Sequence, residues 1–121
     1  MIELTLPYPP TVNSYWLPVI KGGRFRGFRI SAKGVQYKQE VNWCVLQQRH
    51  PFGILEGDLK VEVKMYPPDK RKRDVDNILK SLLDAMESAC VYKDDNQISE
   101  INVKRMDKFK GGKVEVQIWH R

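Results

Sequence analysis

Asp74-Val75-Asp76-Asn77-Ile78-Leu79-Lys80, with Asp94-Asp95 further on, gathers carboxylates and one lysine inside a chain of net charge +6. Grouped acids repel one another and tend to take up protons unless a cation offsets them. A divalent metal does so, and a metal beside a cationic surface suits phosphodiester chemistry. Mg²⁺ prefers hard oxygen ligands and retains several waters, so two to four carboxylates suffice to hold it. A nearby lysine such as Lys80 can neutralise charge on the phosphate in the transition state. Asp74 and Asp76 would diverge by roughly 200° on a regular helix, so they converge only if Asp74 precedes the helix and Asp76 opens it. Asp76 and Lys80, four apart, share a helix face. Asp94 and Asp95 rejoin them only if the fold doubles back. The plainer alternatives are a helix cap at Asp76, a surface ion pair with Lys80 and a polar turn at Asp94-Asp95. The stretch is not an EF-hand, because Ile78, Leu79 and Ala85 stand where that loop needs an oxygen ligand, Gly and Glu. Glu62-Val63-Lys64 is a competing E-x-K pattern, which alternating charges on a solvated strand also explain.

The elements that must position these groups follow from hydrophobic periodicity. Ile2, Leu4 and Leu6 alternate with polar residues and predict a strand that Pro7, Pro9 and Pro10 end. An irregular segment from Tyr8 to Leu17 carries Asn13, Tyr15 and Trp16. Lys21 to Arg29 reads as a loop or hairpin with three glycines, in which cations interleave with Phe25 and Phe28. Ser31 is the expected N-cap of a helix running to about Gln48, with Tyr37, Val41, Cys44, Val45 and Gln48 along its inner stripe. Asp58 to Met65 alternates as a strand with one solvated face. A second helix is expected from Asp74 or Asp76 to about Ala89, with Ile78, Leu79, Leu82, Leu83 and Met86 inward and Asp76, Lys80, Asp84 and Glu87 at the edge of the other face. Ile98 to about Phe109 and Lys113 to Trp119 read as strands, and Gly111-Gly112 between them signals a hairpin. The order β-α-β-α-β-β predicts one α+β domain over residues 1–121, with two helices on a mixed or mostly antiparallel sheet.

At 121 residues the chain is long enough for an ordinary core. It has no transmembrane run and no N-terminal signal pattern, which points to a cytoplasmic protein. Cys44 and Cys90 are then expected as free thiols on the apolar sides of their helices, and no Cys/His spacing supports zinc. The positive charge favours a polyanionic partner.

These motifs resemble the RusA family of Holliday junction resolvases. The resemblance runs from Leu6-Pro7-x-Pro9-Pro10-x-x-Asn13 through Lys70-Arg71-Lys72-Arg73 into Asp74-x-Asp76-Asn77-x-x-Lys80, and on to Asp94-Asp95 and Lys110-Gly111-Gly112. It implies a dimeric, Mg²⁺-dependent endonuclease (Mn²⁺ being an alternative ion) that nicks four-way junction DNA symmetrically during recombination and repair. It further implies Asp74, Asp76 and Asp95 as catalytic metal ligands, Lys80 as the catalytic lysine, and Arg73 at the DNA. Lys70, Arg71 and Lys72 extend that cationic run, and Asp94 is a supporting acid. Arg24, Arg26 and Arg29, outside the matched motifs, and Asn13, at the end of the first of them, are expected DNA contacts. A less selective nuclease and a DNA-binding module without catalysis are the competing readings.

Overall fold

The computed structural model describes residues 1–48, 53–70 and 75–121. Arg71, Lys72, Arg73 and Asp74 lie outside the described residues, as does His50. Six strands and three helices follow the order β1 (Ile2–Leu6), α1 (Val12–Tyr15), β2 (Trp16–Lys21), β3 (Arg24–Ile30), α2 (Ala32–Gln48), β4 (Leu59–Tyr66), α3 (Asp76–Ser88), a 3₁₀ turn (Asp95–Gln97), β5 (Ile98–Arg105) and β6 (Lys113–His120). The mixed α+β architecture matches the expectation. The segment expected to be irregular, Tyr8 to Leu17, adds one short helix and the start of β2, and the hairpin offered for Lys21 to Arg29 forms as a two-stranded ribbon.

The main sheet has the order β1-β6-β4-β5. Its β1/β6 and β6/β4 pairs are antiparallel and its β4/β5 pair is parallel. A parallel pair needs a crossover, and α3 supplies it. One side of the sheet carries Leu4, Leu6, Leu59, Val61, Val63, Met65, Val114, Val116 and Ile118, all buried, and is covered by the inner stripes of α2 and α3. The other side is solvated, with Lys60 paired to Glu100 at 3.3 Å and reaching Glu62 at 3.9 Å. Glu62 therefore belongs to an ion-paired strand face, as the plainer reading of the E-x-K pattern expects.

The hairpin expected at Gly111-Gly112 does not form. β5 ends at Arg105, and the chain crosses the end of β4 through Met106 N–H to Met65 O (2.8 Å) and Phe109 N–H to Pro67 O (2.8 Å). It then enters the sheet on the far side of β4, so β4 separates β5 from β6. Val114, Val116 and Ile118 fill the position between β1 and β4, which buries them more fully than an edge would. Gly112 serves close approach as well as the turn. Gly112 has φ +72°, and a Cβ there would meet Tyr8 Cβ at 2.8 Å and Pro68 Cδ at 3.1 Å.

Ser31 caps α2 as expected, its Oγ accepting from Gly34 N–H at 2.9 Å. Tyr37, Val41 and Val45 are buried on the inner stripe. Gln48 stays exposed, yet its side chain accepts from Thr5 N–H (2.7 Å) and donates to Thr5 O (2.8 Å), closing part of the β1 edge. Both cysteines are free thiols. Cys44 is half-buried on α2, whereas Cys90 lies beyond the end of α3 and is exposed, contrary to its expected inward placement. Cys90 is the C′ residue of a Schellman turn, with Val91 N–H donating to Met86 O (3.1 Å) and Cys90 N–H to Glu87 O (3.0 Å). Its φ of +61° is the left-handed conformation that the motif demands and that glycine would supply at less cost.

Candidate active site

The Schellman turn reverses the chain at the C-terminal end of α3 and sends residues 91–97 back along the helix. Val91 and Tyr92 re-enter the core, and Tyr92 donates its phenol to Leu83 O at 2.7 Å. Leu55 N–H bonds Val91 O at 2.9 Å, tying this segment to the approach to β4. Asp94 then caps the 3₁₀ turn, its carboxylate accepting from Asn96 N–H at 2.9 Å, while Gln97 Oε1 accepts from Asp94 N–H at 3.1 Å and Lys93 N–H at 2.9 Å. The Gln97 amide donates to Leu55 O (3.1 Å) and Gly57 O (3.0 Å). One glutamine thus locks the turn to the body of the protein.

This turn delivers Asp95 to α3. Asp95 N–H donates to Glu87 Oε1 at 2.7 Å, and oxygens of Glu87, Asp94 and Asp95 all lie within 4.8 Å of one another. It is the one such metal-competent cluster among the described residues. The Asp95 carboxyl is held above its ordinary pKa. Partial burial of the group contributes most, followed by its hydrogen bond to Asp94 and the charges of Asp94 and Asp84, while Lys80 pulls the other way. Removing like charges from water and setting them side by side favours the protonated form. A cation at the cluster would reverse that preference.

The outward edge of α3 carries Asp76, Lys80, Asp84 and Glu87 at successive turns, as the helical spacing predicts. Their roles differ. Asp84 is already engaged, accepting a hydrogen bond from the phenol of buried Tyr15 and pairing with Lys38 at 3.4 Å. Asp76 and Lys80 are exposed. Asp76 lies eleven residues before Glu87, roughly 16 Å along the helix axis, and stands apart from the cluster at the other end. The structure therefore brings Asp94 and Asp95 together with Glu87. It places Lys80 on the connecting face, within electrostatic reach of Asp95, and Asp76 at the helix start. Asp74 lies outside the described residues, so its expected convergence with Asp76 is not described. Glu87 was legible only as an edge residue of the helix. The regular spacing 76, 80, 84, 87 placed it on the acidic face, but only the reversal after Ala89 makes it a neighbour of Asp95.

The expected DNA-contacting residues fall on the same molecule but on separate elements. Asn13 is exposed on α1, and Lys70 is exposed just after β4. Arg24, Arg26 and Arg29 are exposed on β3. A sequence profile described as Endodeoxyribonuclease RusA matches residues 7–119. The chain belongs to the RusA family. The protein named crossover junction endodeoxyribonuclease rusA of Enterobacteria phage HK97 is 37% identical over 118 residues, covering 96% of this chain and 92% of the phage protein. Proteins named crossover junction endodeoxyribonuclease RusA are 34% identical in Shigella sonnei and 33% identical in Escherichia coli K12, each over 116 residues, with 96% of this chain and 92% of the relative covered. The RusA match spans both the acidic face of α3 and the cationic ribbon. No helix among the described residues is long and apolar enough to cross a membrane.

Proposed function

We propose that this chain is a divalent-metal-dependent endodeoxyribonuclease that resolves four-way (Holliday) junctions by paired symmetric nicks, in the cytoplasm, during recombination and repair. The observation that carries this reading is a carboxylate cluster on a chain of net charge +6 that belongs to an endodeoxyribonuclease family. The donor set fits Mg²⁺ or Mn²⁺, because Glu87, Asp94 and Asp95 offer only hard oxygens and Asp95 holds its proton more tightly than usual without a cation. Asp95, Glu87 and Asp94 would hold such an ion, with Asp76 as the carboxylate at the other end of the acidic face and Asp74 two residues before it in the sequence. When bound, the ion supplies Lewis acidity at the phosphate and lowers the pKa of water.

The rest falls to the protein's own groups. Lys80, exposed between the two acidic ends, neutralises charge developing on the scissile phosphate. Lys70 and, following it in the sequence, Arg71, Lys72 and Arg73 hold the DNA backbone, and Arg24, Arg26 and Arg29 hold it at the ribbon. Asn13, exposed on α1, contacts the DNA as well. Two nicks placed symmetrically about a junction call for two such sites, which a homodimer provides.

The test compares a labelled four-way junction with a linear duplex of the same sequence, with and without Mg²⁺, using Asp76→Asn as the control for contaminating nuclease. Paired nicks in the junction alone, dependent on metal and lost in the variant, are the expected result. Cutting of both DNAs would replace this reading with a less selective nuclease. Tight binding with no cutting under Mg²⁺ or Mn²⁺ would leave a DNA-binding module.

A further inference from the structure

The β2-β3 ribbon has two chemically opposite faces, and the residue that makes them so is Gly27. Directly paired residues on antiparallel strands share a face. Ile20 pairs with Phe25 and Pro18 with Phe28, so Val19 alone on β2 stands opposite two residues of β3, Arg26 and Gly27. Gly27 is the extra residue of this bulge, with φ +101°, a conformation other residues rarely adopt. Without it Phe25 and Phe28, three apart, would point to opposite sides. With it they meet edge to face, ring centroids 5.3 Å apart, on the face that also carries Pro18 and Ile20. Lys21 and Arg24 form the last pair of the ladder, and with Arg29 and Arg26 they alternate onto the other face, which gathers all four cations beside Leu17 and Val19. No acidic residue occurs between Trp16 and Ile30.

The apolar face is exposed, at 65% for Ile20, 60% for Phe25 and 67% for Phe28. It also continues the core. Trp16 and Ile30, paired at the base of the ribbon on this same face, pack against the buried cluster. A two-stranded ribbon is at best marginally stable in water without a layer over its apolar side. The geometry points to a second copy of this chain as that layer: the Pro18, Ile20, Phe25, Phe28 face is the dimer contact, and the opposite cationic face is left for DNA. Segregated charge is the reason to favour a second copy over nucleic acid. Two chains of net charge +6 can meet through this face without bringing their arginines together, whereas DNA held by the arginines lies on the other side of the ribbon. Two reciprocal arms, each seated on the other subunit, would bury roughly 1200 Å² in all, at the lower edge of a specific interface.

This interface rests on the homodimer reading of the proposed function, deepens it, and is tested without cleavage. Sedimentation of the full chain in EDTA should give a mass twice 14.2 kDa. Phe25→Asp/Phe28→Asp should weaken dimerisation at least about 100-fold, with circular dichroism unchanged because both side chains are exposed. Arg24→Ala/Arg26→Ala should leave the mass unchanged and weaken DNA binding. In parallel, p-benzoylphenylalanine at position 25, irradiated with a four-way junction present, should yield a chain-to-chain adduct. A chain-to-DNA adduct in its place would assign the apolar face to nucleobases and overturn the proposal. A wild-type chain that stays monomeric, or a dimer indifferent to the double Asp substitution, would overturn it too. A monomeric wild type that still nicks junctions in pairs would sink this interface while leaving the nuclease reading intact.

Discussion

The acidic turn beside α3 and the cationic ribbon are each a concentration of one sign of charge, yet the fold treats them oppositely. The turn is held from several sides, by the Gln97 amide, the buried Tyr92 phenol and the Asp95 N–H donated to the Glu87 carboxylate. Among the described residues, the ribbon is held at its base. There Ser31 N–H bonds Tyr15 O at 2.9 Å, Ser31 Oγ bonds Ser14 O, and Gly34 sits so close that a Cβ would lie 2.8 Å from Tyr15 O. Chemistry on a phosphate requires ligands fixed before the substrate arrives, whereas a surface that closes on DNA or on a partner can be completed by what it binds.

The sharpest way to separate the two regions is to remove charge from each. Asp76→Asn is expected to slow junction nicking at least about 100-fold while leaving junction affinity intact or improved, read as single-turnover rate against gel-shift Kd. Full activity in that variant would end the role assigned to the acidic face. Glu87→Gln tests the ligand that only the tertiary structure exposed. It should raise the Mg²⁺ concentration for half-maximal nicking about tenfold or more, with affinity for DNA in EDTA unchanged. On the ribbon the pattern inverts. Arg24→Ala/Arg26→Ala should cost roughly tenfold in junction affinity at moderate salt and flatten the slope of log K against log salt by about two, since each cation lost releases one fewer counterion. The nicking rate at saturating DNA should hardly change.

Smaller effects probe how the acidic turn is stabilised. Asp95 binds its proton more tightly in the folded chain than in the unfolded one, so its ionised form disfavours the fold above the raised pKa. That penalty fades as the pH drops through the raised value toward the usual carboxylate range. Asp95→Asn should therefore raise the melting temperature of the metal-free protein at neutral pH, and the gain should shrink on acidification. A gain that is constant with pH would assign the effect to something other than this carboxyl. The last and smallest is Cys90→Gly, which relieves a left-handed backbone at the C′ position. It should stabilise the chain by about 1 kcal/mol in urea unfolding, without moving the nicking rate.

Local elements were legible because their signals are local. The alternation Leu59, Val61, Val63, Met65 describes a strand with one buried face. Ser31 ahead of Gly34 describes an N-cap, and Ile78, Leu82 and Met86 describe a buried helix stripe. Asp76, Lys80 and Asp95 stood out because repelling carboxylates beside a lysine in a basic chain are chemically conspicuous. The pairing of distant segments was not legible. Gly111-Gly112 allows a turn but does not choose the strand beyond it, and it was the space between β1 and β4 that drew Val114, Val116 and Ile118 away from β5.

By itself, then, the sequence determined which segments are helix or strand, which residues face inward, and which side chains are chemically able to hold a metal or a phosphate. All of these depend on neighbours a few residues away. The tertiary structure alone decided that Glu87 rather than Asp76 stands against Asp95, that Asp84 is occupied by Tyr15 and Lys38, and that the two ribbon phenylalanines share a face. Each of these rests on a chain reversal or a strand register, and a reversal is set by the packing of the whole core, which no short stretch of residues encodes.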